Sequence, residues 1–312
     1  VTKILLKTLS VALLFLIFCP IVLTLVVELP SVQNFLVGKA TSLVSNKLGV
    51  DVKVRRLRVG VLGGVTVEGF YVEDFEQDTL LYVDKLRVGM LRFTDGNNLS
   101  LSNGTLAGGK LYIKETPGGE MNIKQVVDRL VNREKEAKGN FVLNIEDVAL
   151  EDFTLAICRL EHKEPEYGID FKDMHFENMS GVLDNFRMQG SNIVGHVSDF
   201  HFVEHTGFDV RAFDSDFMID RGELQFRNVD IVTPSSRIHL PYANVKGEDG
   251  WNSYKDFIRQ VDIDGELYAE QITTDDVAHF APRLLPWRLM ATDVRAEVSG
   301  RVADLNVDIG SM

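Results

Sequence analysis

Positive charge is scarce in this sequence. It has 33 Lys and Arg against 46 Asp and Glu over 312 residues, a net charge of −13. Duplex nucleic acid needs a net basic surface, so no nucleic-acid partner is expected. Cysteine is nearly absent, with only Cys19 and Cys158. Cys19 lies inside an apolar run, which rules out an intrachain disulfide framework, and Cys158 has no companion at metal or redox spacing. No loop is built to cradle phosphate: Gly60-x-x-Gly63-Gly64 lacks the Lys-Ser/Thr that must follow. His162, His175, His196, His239 and His279 show no ligand spacing. At 45% apolar and 25% charged residues, the chain is not disordered.

One motif has the letters of a metal site. His201-Phe-Val-Glu204-His205 fits the inverted zinc-peptidase pattern, which needs both imidazoles on one helical face. Its neighbours, HVSDF before and FDVRAF after, alternate as strands. In a strand the two rings stand roughly 13 Å apart. They cannot share an ion about 2.1 Å from each. Asp214 and Asp216 read as a solvated strand face, and Asp275 and Asp276 as the first turn of a helix. No catalytic residue, metal or cofactor is expected, and the chain reads as a non-enzyme.

What the sequence does have begins with Thr8–Val27, 20 residues without a charge. As a helix they span about 30 Å, the thickness of a bilayer core. Lys3 and Lys7 precede the run and Glu28 follows it. The positive-inside rule then puts the N-terminus in the cytoplasm and the remainder across the membrane. A cleaved signal peptide is the competing reading, disfavoured by the long apolar run and an exit, VVELPSV, without an Ala-x-Ala-like site. A lipoprotein anchor at Cys19 is disfavoured by the bulky Ile17 and Phe18 before it.

Residues 29–49 follow as an amphipathic helix, started by Pro30-Ser31 and stopped by Gly49. Its stripe is Val32, Phe35, Leu36, Leu43, Val44 and Leu48. It either lies on the membrane or, more commonly for such a stripe, plugs the end of the next domain. Beyond Gly49 the apolar period becomes two, and 16–18 mostly antiparallel strands are predicted. Gly63-Gly64, Asp95-Gly96, Asn103-Gly104, Pro117-Gly118-Gly119, Arg221-Gly222 and Asp264-Gly265 read as turns. Short helices are predicted over Asn122–Glu136 and Thr273–Leu285, the latter stopped by Pro286. Several strands share an apolar–x–x–apolar–x–apolar rhythm with an acidic residue or Asn beside it. The spacing is too irregular to define a repeat.

Within the strands, Phe141/Leu143/Ile145, Phe153/Leu155/Ile157, Phe217/Ile219 and Leu224/Phe226 each share one face. Lys53, Arg55, Arg56 and Arg58 form the one basic cluster. Close behind the membrane exit, it reads equally as a head-group contact and as a solvated strand face. Alternation by itself does not separate a packed sandwich or barrel from a sheet with an open apolar face.

The span, the helix ending in NKLGV, DVKVRRLRVGVLGGVTVEGFYVED and LLYVDKLRVGM together resemble the opening of the AsmA-like proteins, nearest their TamB branch. GGKLYIKETPGGEMNIKQVVDRL is similar to the strand–loop–helix that ends that module, and VAHFAPRLLPWRL…VSGRVADLNVDI to a later repeat. The resemblance implies a transmembrane anchor (1–28), the amphipathic helix (29–49), a first β module with a closing helix (50–138) and a continuing sheet (139–312). Fold class is then mostly β: an elongated, mainly antiparallel curled sheet forming an open apolar trough, with a few short helices. It further implies a single-pass inner-membrane protein, with its bulk in the periplasm, carrying phospholipid acyl chains between the two membranes. The paired apolar residues above would line the groove. The alternative is a scaffold for insertion of outer-membrane proteins, with no lipid carried. TamB-like proteins are far longer and meet an outer-membrane β-barrel assembly partner through a C-terminal domain. The strand pattern here is still running at Met312, so that contact is not carried over.

Overall fold

The computed structural model describes residues 29–60, 64–94, 98–124, 126, 142–160, 165–301 and 303–311. Among these no helix is long and apolar enough to cross a membrane; the expected span Thr8–Val27 lies outside the described residues. The first element is helix α1, Pro30–Leu48. Pro30 occupies its first turn, and Gly49 closes it in the left-handed region at φ 73°, where a side chain would be strained.

A single sheet follows. Its strands are β1 Val52–Val59, β2 Val65–Glu73, β3 Thr79–Thr94, β4 Asn98–Lys114, β5 Val142–Cys158, β6 Asp173–Gln189 and β7 Asn192–Glu204. The rest are β8 Asp209–Asp220, β9 Glu223–Val232, β10 Arg237–Gly247, β11 Val261–Thr273, β12 Met290–Arg301 and β13 Asp304–Ser311. Spatial order equals chain order, the sheet is not closed, and every pair is antiparallel except β4 and β5. That parallel pair needs the long connection 115–141, which begins with a turn bridged from Glu115 to Met121. The sheet runs through this point without interruption.

Among the described residues thirteen strands stand where 16–18 were predicted for the chain, and part of the reason lies in two dipeptides. Asn103-Gly104 and Asp264-Gly265 were expected to be turns but sit inside β4 and β11. Asn103 adopts φ 53° but both of its neighbouring strands stay in register through it, so the chain continues in the same strand. Asp293 does the same in β12, whereas Asp152, Asn178, Asn185, Asp199 and Asn228, also at positive φ inside β5, β6, β7 and β9, coincide with bulges that shift the register by one residue. Asn and Asp tolerate this left-handed conformation better than other side chains. The irregular rhythm of the sequence is therefore a bulge code. In Leu183-x-Asn185-Phe186 the extra residue resets the alternation, so Leu183 and Phe186 stay on one face. Side chains on the next strand meet some of the displaced amides: Asn103 N donates to Asp147 Oδ1 (3.0 Å) and Asp152 N to Ser180 Oγ (3.0 Å).

The short helices flank the long edges of the sheet. A 3-10 turn, Gly250–Asp256, runs into α2, Phe257–Gln260, between β10 and β11. Between β11 and β12 lie α3, Thr274–Ala278, and a 3-10 turn, Pro282–Trp287. The expected start of α3 holds, with Thr273 accepting from Asp276 N. Its expected length does not, because α3 ends at Ala278 and Pro286 lies inside the 3-10 turn. Of the helix expected over Asn122–Glu136, residues 122–124 and 126 are helical and the rest lies outside the described residues.

Among the described residues, the cluster of fully buried apolar side chains forms at the α1 end. Leu48, Val50, Val52, Val72, Leu80 and Val126 cluster there. Helix α1 runs along the outer edge of β1, where Gln33 Oε1 accepts from Leu57 N (3.2 Å) and Ser45 Oγ from Val52 N (3.0 Å). An edge strand that would otherwise present bare amides is thus covered.

Candidate functional site

Residues directly opposite in adjacent strands share a face, so register traces the sheet's two surfaces. Starting from Leu99 in β4, the partners are Leu143, Met188, Ile193, Ile219, Leu224, Val245 and Ile263. One apolar residue per strand thus forms a continuous row from β4 to β11. A parallel row runs Phe217, Phe226, Ala243, Gly265, Val298, Val307. Leu155 faces Phe176, whose ring meets Phe202 edge-on with centroids 5.3 Å apart. Leu143, Ile145, Phe153, Leu155, Ile157, Phe217, Ile219, Leu224 and Phe226 are all half-buried. Phe141 lies outside the described residues.

Glycines on this face make room for rings. A Cβ on Gly109 would lie 2.0 Å from the Phe153 ring, and one on Gly195 would lie 2.8 Å from that of Phe217. These phenyl groups therefore lean over the neighbouring strand. Toward the α3 edge the apolar face deepens into a cavity of about 550 Å³. Phe200, Phe202, Phe213, Ile231, Ile238 and Leu267 line it from five strands, and Val277 and Phe280 from the α3 segment. Phe208 stands edge-on to Phe280 at 5.0 Å. Sequence reasoning missed this cavity, because Phe208 and Phe280 come from connections and carry no alternation signal.

The α3 segment is held in place by one carboxylate. Asp276 Oδ2 accepts from the hydroxyls of Ser236 (2.5 Å), Thr233 (2.6 Å), Ser235 (3.0 Å) and Thr273 (3.3 Å). Burial opposes its charge, but these hydroxyls outweigh burial and hold the carboxyl below its ordinary value. Asp275 and Asp276 are first-turn residues as expected.

The opposite face is ionic. Arg295 pairs with Glu266 (2.6 Å) and Glu297 (3.1 Å), His239 with Asp230 (2.8 Å) and His196 with Asp216 (2.9 Å). The basic cluster of β1 lies on this face as well. Lys53 is engaged by Glu73 (2.7 Å) and Asp51 (3.3 Å), and Arg58 by Glu68 (3.5 Å). Much of its charge is thus answered within the sheet.

The zinc-peptidase letters fall in β7, as strand and not helix. His201 lies within the strand, Glu204 ends it and His205 follows. Glu204 is fully buried and accepts from the Thr206 amide and hydroxyl and from the His175 amide, with His205 Nδ1 close against its carboxylate. Burial opposes ionisation of Glu204, yet these donors hold its pKa below the ordinary value. One expectation is corrected outright: Cys158 does have companions, since β5–β6 pairing sets it beside Asp173 and His175. Compared with known proteins, the chain matches no protein-family model and no curated sequence.

Proposed function

We propose that this protein is a membrane-anchored carrier whose sheet, curled into an open trough, shelters phospholipid acyl chains between two membranes. In this reading Thr8–Val27 is the inner-membrane span and the sheet lies in the periplasm. The observation that carries it is the half-buried apolar face of β5–β12, with its 550 Å³ cavity walled by phenyl and aliphatic groups. A phospholipid exposes about 30 methylenes, and at about 0.8 kcal/mol each, water penalises them by on the order of 25 kcal/mol. A row of apolar side chains, one per strand, offers continuous shelter along the sheet. Thirteen strands about 4.8 Å apart extend roughly 60 Å. Such a carrier makes and breaks no bonds, so it needs no catalytic group.

The test is photocrosslinking in intact cells with the full chain. A photoreactive residue at Phe213 or Ile238, on the apolar face, is expected to yield phospholipid adducts. At Asp216 or Lys246, on the ionic face, it is expected to yield none. Adducts to nascent outer-membrane proteins in place of lipid would overturn the carrier and favour the scaffold.

A further inference from the structure

Cys158 ends β5 directly opposite Asp173 at the start of β6, and His175 follows two residues on, facing the same way. Cys158 Sγ lies 3.6 Å from His175 Nε2, which lies 3.0 Å from Asp173 Oδ1. All three donor atoms fall within 4.8 Å of one another. We propose that Cys158, Asp173 and His175 bind one divalent zinc-class cation through a thiolate, a carboxylate and an imidazole, leaving a fourth position open. This site is separate from the apolar face and independent of the carrier reading.

The geometry fits the ion. Tetrahedral bonds of about 2.3 Å to sulfur and 2.0–2.1 Å to nitrogen and oxygen set S···N near about 3.6 Å and N···O near about 3.3 Å. The observed S···N and N···O separations, 3.6 and 3.0 Å, thus match those of a shared ion to within tenths of an ångström. The donor set selects its metal, since a thiolate and an imidazole favour zinc-like cations over calcium or magnesium.

The imidazole is also supported from behind. The buried Glu204 carboxylate accepts from the His175 amide (3.4 Å), His205 N donates to the His175 carbonyl (2.9 Å), and the two rings meet edge-on at 5.3 Å. Lys114, the nearest ammonium on β4, is drawn to Asp78 (3.0 Å). A bound ion would tie together the two ends of the 159–172 connection.

The experiment is a Co²⁺ titration of the full-length chain in detergent, followed by displacement with Zn²⁺. One equivalent is expected to give a thiolate-to-cobalt charge-transfer band with the visible bands of a tetrahedral ion. Cys158→Ser and His175→Ala should each weaken binding at least about 100-fold. Cys19→Ser and His201→Ala should leave it unchanged. Thermal melting without metal checks that each variant is folded. Absence of the band in the natural sequence, or its persistence in a folded Cys158→Ser, would overturn the site.

Discussion

The two ends of the apolar face share one alternation and meet different fates. At β1–β3, Val52, Val72 and Val83 are 3%, 3% and 1% exposed. Helix α1 and the segment around Val126 pack there and turn the alternation into a core. From β5 onward the same pattern is mostly half-buried, with single buried residues such as Val210, and by β13 Val307 is 50% and Ile309 73% exposed. The strands themselves do not differ in kind. A period-two pattern states only which side chains share a face; whether that face is sealed depends on a second layer supplied from elsewhere in the chain.

Charge inserted at the two ends should break this likeness most sharply. Val72→Asp puts a carboxylate into the sealed end, where no partner waits, and should cost at least about 4 kcal/mol and abolish cooperative melting. Survival of a normal melt would mean that the α1 end is as open as the remainder.

A smaller effect is expected at Asp276, which pins the α3 segment over the cavity. Asp276→Ala should lose about 2–3 kcal/mol, the scale of hydrogen bonds to a charged group. Acid should act in the same direction. The folded carboxyl lies below its unfolded value, so its contribution is complete above the unfolded pKa, near about 4. It is lost as pH falls through the folded one. Hydrogen exchange of the α3 amides across that range should rise in the natural protein and be raised already in Asp276→Ala. Equal exchange in both at neutral pH would remove the latch.

The smallest effects should come from Leu155→Asp and Ile219→Asp. Both side chains are half-buried, so their carboxylates reach water and each should cost less than about 1 kcal/mol. Lipid crosslinking at Phe213 should nevertheless fall, because a charge interrupts the apolar row. Unfolding in both variants would show a second layer over this face.

The β class, the start and stop of α1 and the shared faces of the apolar pairs were legible because each depends on residues close in sequence. Pro30 and Gly49 mark α1 locally, and Leu143 and Ile145 share a face whatever their partners. Strand number was misjudged where one signal has two outcomes. Asn103-Gly104 carries the letters of a hairpin turn, but with positive φ at Asn103 alone and extended chain on both sides the strand runs on in register. Cys158 and His175 lie 17 residues apart and meet only through β5–β6 register, which bulges shift by whole residues. No spacing rule along the chain reports such a meeting. The cavity escaped notice for the same reason, since its far wall comes from α3.

Strict agreement of spatial and chain order has a kinetic side. Every strand bonds only to its predecessor and successor, so each pairing closes a single connection and adds little loop-closure cost to the one before. Stability in such an array is a sum of nearest-neighbour terms, and order can propagate hairpin by hairpin from a nucleus. The sealed end beside α1 is the best nucleus available, and it is also the end made first. A chain emerging N-terminus first is thus suited to assemble strand upon strand as it emerges, with the 115–141 connection the longest loop to close between described strands.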